Sequence, residues 1–364
     1  MYQVRIADSY TGERIVIHDF RAEELVLIEP TLEMELDYSG SFMFGMHNFH
    51  PHFSKMQVLK TIVEVAFNDE VVWQGRILST HDDFINFRKF KCEGILAALN
   101  DTIQPQREMH DISVRDFINT IIQYHNSNSH WKFNIGRVDS DKKLYRFTNH
   151  ENTMECFRNK LLNRKVGHLM VDYSVSGPPT IKFVNRGNER PDQFIMFGEN
   201  LLDCAKEIDG SEFFTQIIPL GSNLENPTIK VLGERVSVKS VNGGSEIVRG
   251  PNPLGLSPIT KVVIWENVTV PSTLLKRAQD YLNNAVPNIR VEIKAIDAGL
   301  IYDFIQPLRV GDIVKATSKV HDLEQEFMVT KLEIPLDEPQ QTNITLGMSL
   351  ANSLSHILAN GGKE

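Results

Sequence analysis

The chain has 364 residues, 41% of them hydrophobic and 23% charged, which is enough for more than one packed core and predicts at least two domains. Its formal net charge is −9. That balance argues against specific nucleic-acid binding, which needs clustered Lys and Arg against phosphate, although an acidic surface lets a polyanion pass without holding it.

The first hundred residues read as strands. Val4 and Ile6, then Ile15 and Ile17, alternate with polar neighbours around the turn Ser9 to Gly12. No basic start followed by an apolar run precedes them, so no signal peptide is expected; no run approaches 18 apolar residues, so no membrane span is expected either. Leu25 to Leu36 alternates apolar and acidic residues. Thr61 to Phe67, Asn68-Asp69-Glu70 and Val71 to Leu78 give a hairpin signal. Phe84 to Cys92 alternates again and runs into a helical turn from Gly94 to Leu99. Short strands joined by tight turns predict a small barrel or sandwich over residues 1–100.

The texture changes near Asp101. Ser113 is an N-cap candidate with Asp116 three residues on, and Phe117, Ile118, Ile121 and Ile122 follow at helical spacing. A second helix is predicted from Thr153 to Asn163, with Met154, Phe157, Leu161 and Leu162 on one face, and a hairpin from His168 to Val184. Residues 101–210 are therefore an expected α+β domain. Strands resume at Phe213 to Leu220. Gly221 to Pro258 is rich in Gly, Pro, Asn and Ser and reads as a long loop with one or two short strands. A helix starting at Pro271 is expected to run to Ala285, followed by strands Ile289–Ile296, Ile313–Ala316, Glu326–Ile334 and Thr342–Leu346. The domain expectation is a second barrel from 211–240 plus 289–347, an insertion over 241–288 with one helix, and a C-terminal helix and tail over 348–364.

There is one internal echo. The strand carrying Trp73, Gly75, Arg76 and Ile77 leads to Cys92–Asn100 (CEGILAALN); Phe327 to Ile334 leads to Thr345–Ser353 (TLGMSLANS). Gly94 and Gly347 occupy the same place in the two passages. Two barrels of similar build give this pattern.

Candidate sites meet plainer readings. His47, His50 and His52 could hold zinc or nickel, but Pro51 denies them a helical face and no Cys completes the set; histidines in a polar loop are the simpler account. Asp139, Ser140 and Asp141 lack the Gly and terminal Glu of a calcium loop and read as a surface turn. His110-Asp111 and His321-Asp322 could belong to hydrolytic sets, yet neither GxSxG nor HExxH occurs. Cys156 with His150 or His168 could mimic a Cys–His pair, but Cys156 falls beside Met154 and Phe157 on a helix face. Three cysteines, Cys92, Cys156 and Cys204, without CxxC spacing, argue against a disulfide scaffold. The glycine-rich segment Gly243–Gly255 lacks the ending of a phosphate loop. Trp73, Trp131 and Trp265 are scattered. The expectation is no catalytic, cofactor-binding or metal-binding residue.

Three stretches carry a family likeness: Val63–Leu78 with Lys89–Asp101, Phe147–Tyr173, and Leu308–Gly347. In them the sequence resembles the prophage tail protein family, also labelled prophage endopeptidase tail or tail-associated lysin N-terminal region, whose fold is similar to the baseplate hub of contractile phages. The resemblance implies a mainly β, α+β chain with two similar small β-barrels and α+β domains between them. It implies a homotrimeric ring of six barrels at the virion tail tip, assembled in the host bacterial cytoplasm. The implied partners are the distal tail protein ring, the tape-measure protein and a receptor-binding or spike protein. Many relatives carry a wall-cutting enzyme in a C-terminal extension; this sequence ends at Glu364 without one, so a structural role is expected. The rivals are a tail-associated peptidoglycan hydrolase and a cell-wall glycan-binding module.

Overall fold

The structure, a computed structural model of the chain, describes residues 1–348 apart from 84–86, 141–142, 163–166, 175–176, 186, 188, 210–213, 224–233, 251, 253–254, 256, 267, 284–287, 301, 303–304 and 319–322. The helix expected from Met348 to Leu358 thus lies almost wholly outside the described residues. Described strands far outnumber helices, so the chain is mainly β.

The first strands are β1 (Tyr2–Ala7), β2 (Ile15–Asp19), β3 (Ile28–Glu35), β4 (Ser41–His47), β5 (Ile62–Phe67), β6 (Glu70–Asp82) and β7 (Phe87–Gly94); burial alternates along most of β1, β3 and β7, whereas β5 is buried on both faces. The hairpin between β5 and β6 turns on Asn68 and Asp69, with φ of 46° and 68°. Two positive φ angles match the twist of the flanking strands, and Asn and Asp tolerate them.

The 3-10 helix Ile95–Asp101 leads to β8 (Arg107–Ser113), α1 (Val114–Asn128), β9 (Asn134–Val138), β10 (Lys143–Thr148), α2 (Thr153–Lys160), β11 (His168–Asp172) and β12 (Thr180–Val184). The Ser113 hydroxyl accepts from the Asp116 N–H, 3.1 Å. A capping box starts α2: the Asn152 side chain accepts from the Glu155 N–H and the Glu155 carboxylate from the Asn152 N–H. Phe117, Ile118, Ile121 and Ile122 of α1 and Met154 and Phe157 of α2 share a core with Leu169, Ile181 and Phe183. β8 pairs with β10, and β12 lies between β11 and a parallel β9.

Then follow β13 (Glu189–Met196), β14 (Leu201–Asp209), β15 (Gln216–Asn223), β16 (Arg235–Ser237), β17 (Val248–Arg249), β18 (Thr260–Ile264), α3 (Pro271–Asn283), β19 (Asn288–Ala295), β20 (Ile313–Ser318), β21 (Leu323–Pro335) and β22 (Asn343–Met348). The chain divides into two compact units, 1–205 with 291–347 and 206–290 with 348–364.

In the second unit β15 is flanked by antiparallel β16 and β17 and parallel β18. Leu274, Ala278 and Leu282 of α3 pack with Ile217, Val236, Val238 and Val248. This differs from the expectation that Phe213 to Leu220 opens a second barrel and that the insertion covers only 241–288. The physical reason is that α3 presents an apolar stripe, and β15 supplies the apolar face that covers it.

The main sheet has 13 strands among the described residues, in the order β14-β19-β22-β21-β3-β4-β7-β6-β5-β1-β2, with β20 on β21 and β13 on β20. The described pairings do not close into a barrel. They do repeat. One half reads β3-β4-β7-β6-β5-β1 and the other β14-β19-β22-β21-β20-β13; matched in this order, both halves also run in the same chain order. The central hairpins agree in length, six and 13 residues in β5 and β6, and six and 13 in β20 and β21. One direction differs, since β1 is antiparallel to β5 whereas β13 is parallel to β20.

Candidate functional site

The histidine-rich loop does not assemble a ligand set. His47 is exposed and stacks on Phe49, ring centroids 5.3 Å apart. His50 is buried: its Nε2–H donates to the Ile17 carbonyl (2.9 Å) and its Nδ1 accepts from the His52 N–H (3.2 Å). Both imidazole nitrogens are thereby used. Burial pushes the His50 and His52 pKa values down. A further buried histidine, His18, lies on β2, where Nδ1 accepts from the Leu27 N–H (3.1 Å). No motif marks it, because a single His in an apolar strand carries no spacing signal. Among the described residues no group of three His, Cys, Asp or Glu side chains is placed to hold a metal ion.

The hydrolytic candidates also separate. His110 is exposed, with Nε2 3.6 Å from Glu108. His321 and Asp322 lie outside the described residues. Cys156 is buried on α2, and burial, reinforced by Glu151, pushes its thiol up, which keeps it a neutral, poor nucleophile. His168 instead places Nδ1 2.9 Å from the Asp37 carboxylate, and His150 Nδ1 is 3.3 Å from Asn149. Asp139 pairs with Arg137 and accepts from the Asn185 N–H; Asp141 lies outside the described residues. Each tryptophan has its own aromatic neighbour: Trp73 has Phe42, Trp131 has Tyr10 and Trp265 has Tyr281.

The acidic residues between Glu23 and Asp37 are partly committed to structure. Asp37 holds His168 and accepts from the Leu169 N–H (2.6 Å), tying the strand region to the α+β region. Glu33 receives Lys331 at 2.8 Å and thereby raises the lysine's pKa. Glu23, Glu24, Glu29 and Glu35 are exposed. A second tie is Arg76 on β6, nearly buried, with Nε 2.7 Å from Glu93 and both terminal nitrogens on Asp101; its guanidinium lies 5.6 Å from the Trp131 ring centre.

The most informative geometry is where the two halves of the sheet meet. β3 pairs antiparallel with the second half of β21, from Glu35 opposite Lys331 to Thr31 opposite Pro335. The first half of β21 is already occupied by β20, Leu323 to Met328. Phe327, Met328 and Val329 are all buried, and so are Leu332 and Ile334. Side chains alternate along a strand, so Phe327 and Val329 face one side of the sheet and Met328, Leu332 and Ile334 the other. β21 therefore carries buried side chains on both of its faces. Beside the joint, on β3, β4, β6 and β7, lies an open groove of about 300 Å³. Its floor includes Met43, Phe44 and Phe90, the last two stacked at 4.9 Å, and Lys89 and Lys91 stand among its lining residues. A Cβ at Gly45 would fall 2.0 Å from the Phe87 ring, so a larger residue there would displace that ring. An apolar floor with lysines beside it suits contact with another chain better than bond-breaking chemistry.

Residues 189–357 match the family described as prophage endopeptidase tail. No curated protein matches the sequence. The fold is similar to that of the 43 kDa tail protein of prophage MuSo2 from Shewanella oneidensis (TM-score 0.64, 10% identity, 96% of this chain and 99% of that one). It is also similar to prophage tail protein gp18 from Listeria monocytogenes EGD-e (0.61, 12%, 98% and 100%). A third likeness is to the tail protein from Neisseria meningitidis MC58 (0.63, 13%, 97% and 98%).

Proposed function

We propose, from a sequence match and a fold that both point to a prophage tail protein family, that this chain is a structural hub subunit of the tail tip. Three copies form a ring that closes the tail tube and anchors distal tip components. Each copy contributes two barrels, one built on β1 to β7 and one on β13, β14 and β19 to β22. The observation that carries this reading is the repeated strand order, with β21 paired to β3 where the two halves meet. A subunit of two similar halves, taken three times, presents six similar positions around an axis, as a junction between a sixfold tube and a threefold tip requires.

The distal tail ring, the tape-measure protein and a receptor-binding or spike protein are the proposed neighbours. Glu23, Glu24, Glu29 and Glu35 are proposed to face the channel and keep passing DNA from sticking. Replacing these four with Lys is then expected to slow genome ejection, measured as DNA release from purified particles; unchanged release contradicts the channel assignment. Gold-labelled antibody on tails from induced cells tests the hub reading. Label at the distal tip supports it, and protein found only free in the lysate overturns it.

The alternative, a peptidoglycan hydrolase, draws on the word endopeptidase in the family description. Against it stand the buried, neutral Cys156 and the partners that His168 and His110 already have. A zymogram of the purified chain is expected to show no cleared band. The glycan-binding alternative would need an aromatic platform, and the three tryptophans sit in separate contacts.

A further inference from the structure

The groove beside the joint carries charge that the fold does not use. β4, β7 and β6 lie side by side there, and their register fixes which side chains share its face. Met43 is opposite Lys91 and Gly45 opposite Lys89; on the other flank, Ser79 is opposite Lys91 and His81 opposite Lys89. Directly opposed residues of an antiparallel pair point to the same side. One row across the face is therefore Met43, Lys91 and Ser79, and the next is Gly45, Lys89 and His81. On β3, Thr31 is opposite Met43 and Ile28 opposite Gly45. The Phe87 ring lies over Gly45, where no side chain keeps it away.

Two properties of this face have no use inside the fold. Lys89 and Lys91 are exposed, and neither makes an ion pair among the described residues; the Lys89 ammonium has only the Phe87 ring, 6.0 Å from its centre. Arg88, between them and on the opposite face, is by contrast committed to Asp82. Beside the lysines, Ile28 and Met43 stay 39% and 46% exposed. Apolar side chains grouped with unpaired charge on a surface mark a contact site.

We infer that the groove docks an acidic, amphipathic segment of another protein, with two carboxylates on Lys89 and Lys91 and an apolar side chain against Met43, Ile28 and the Phe87 ring. Lysines two residues apart on a strand stand about 6.6 Å apart. Carboxylates two apart on an extended segment, or four apart on a helix, match that spacing. Charge complementarity selects this partner. The chain as a whole carries −9, so an acidic segment is repelled by most of the surface and held at this place. Glu29 also lines the groove, at the β3 bulge where its φ is 49°, and pairs with neither lysine. The partner's carboxylates therefore belong over β7 and its apolar group toward β3. A nucleic acid fits less well, because it needs a row of stacking rings or many neutralised phosphates, and the groove offers one exposed ring and two lysines. The inference goes beyond the hub reading and does not depend on it.

The test measures fluorescence anisotropy of labelled probes with the full-length chain. The probes are three short peptides, alternating Leu with Glu, Leu with Lys and Ser with Glu, and a single-stranded DNA. The Leu–Glu peptide is expected to bind, and each other probe at least about tenfold more weakly, since each lacks the charge match or the apolar group. Lys89→Glu combined with Lys91→Glu is expected to abolish Leu–Glu binding and create Leu–Lys binding, a reversal that unfolding cannot produce. Met43→Ser is expected to weaken Leu–Glu binding roughly fivefold, the worth of burying one half-exposed side chain. Both variants are expected to keep the parent's thermal midpoint, because the replaced side chains are exposed. The inference is overturned if the Leu–Glu peptide does not bind, if any other probe binds as tightly, or if the charge reversal leaves the preference unchanged. Self-association that the charge reversal abolishes would assign the groove to a second copy and overturn it too. None of these outcomes bears on tip labelling; protein found only free in the lysate would remove the hub reading and leave the groove as argued.

Discussion

Arg76 shows what a single side chain does here. It leaves β6, pairs with Glu93 on β7 and reaches Asp101 beyond the 3-10 helix, against Trp131. The contact joins a strand layer to the α+β region through one guanidinium that has almost no water. Removing it leaves Glu93 and Asp101 facing each other uncompensated. Arg76→Ala is therefore expected to cost about 2 kcal/mol, below the full cost of breaking a buried pair because Asp101 is partly exposed. The urea midpoint of the purified chain measures this, and a shift worth under about 0.5 kcal/mol contradicts it. The buried histidines give a pH dependence at the same scale. Burial lowers the pKa values of His18, His50, His52 and His125 in the fold. At His18, Asp337 and Asp19 oppose that lowering and His50 adds to it. In the unfolded chain these rings protonate near pH ~6.5, whereas in the fold they stay neutral to lower pH. The unfolded state then binds more protons, so stability is full above about pH 6.5 and falls as pH drops through it. Urea midpoints at pH 7.5 and 5.5 are expected to show that loss, with a smaller difference in His18→Asn; equal midpoints contradict it.

At the scale of elements, the helix starts are set by few atoms. Asn152 and Glu155 satisfy each other's backbone groups at the start of α2, and at the start of α1 the Ser113 hydroxyl accepts from the Asp116 N–H. Asn152→Ala is expected to cost about 1 kcal/mol, read as a lower thermal midpoint, and Asn152→Asp to restore most of it. An unchanged midpoint in Asn152→Ala would mean that packing alone holds this helix end. These local devices explain what could be read from sequence. The β5–β6 turn was visible because Asn68-Asp69 tolerates positive φ, and α1 because a cap precedes a 3.6-residue apolar period. The hairpin of β11 and β12 was visible as well. The pairing of β8 with β10 and the parallel placement of β9 on β12 were not, because partner choice depends on residues far apart in sequence. β15 misled for the same reason: its alternation says strand but does not say which sheet. Of the candidate site residues, the sequence correctly set His50 in a loop and Cys156 on a helix face.

For the whole molecule, the repeated strand order is the feature from which the functional account grows. The echo around Gly94 and Gly347 was its only trace in the sequence. Gly94 must stay small because a Cβ would lie 1.6 Å from the Ser39 carbonyl oxygen, whereas at Gly347 a Cβ meets only the flexible Thr330 side chain, at 2.8 Å. The two halves thus share one strand order while their packing details differ, so residue-level comparison shows little of the likeness. A chain made of two halves that share one strand order is suited to a ring. The most direct test is cryo-electron microscopy of the tip of tails released from induced cells. Six similar β-barrel densities around an open axis, contributed by three copies of this chain, are the expected result. A tip in which this chain is absent, or in which it sits as single copies outside the central ring, would contradict it.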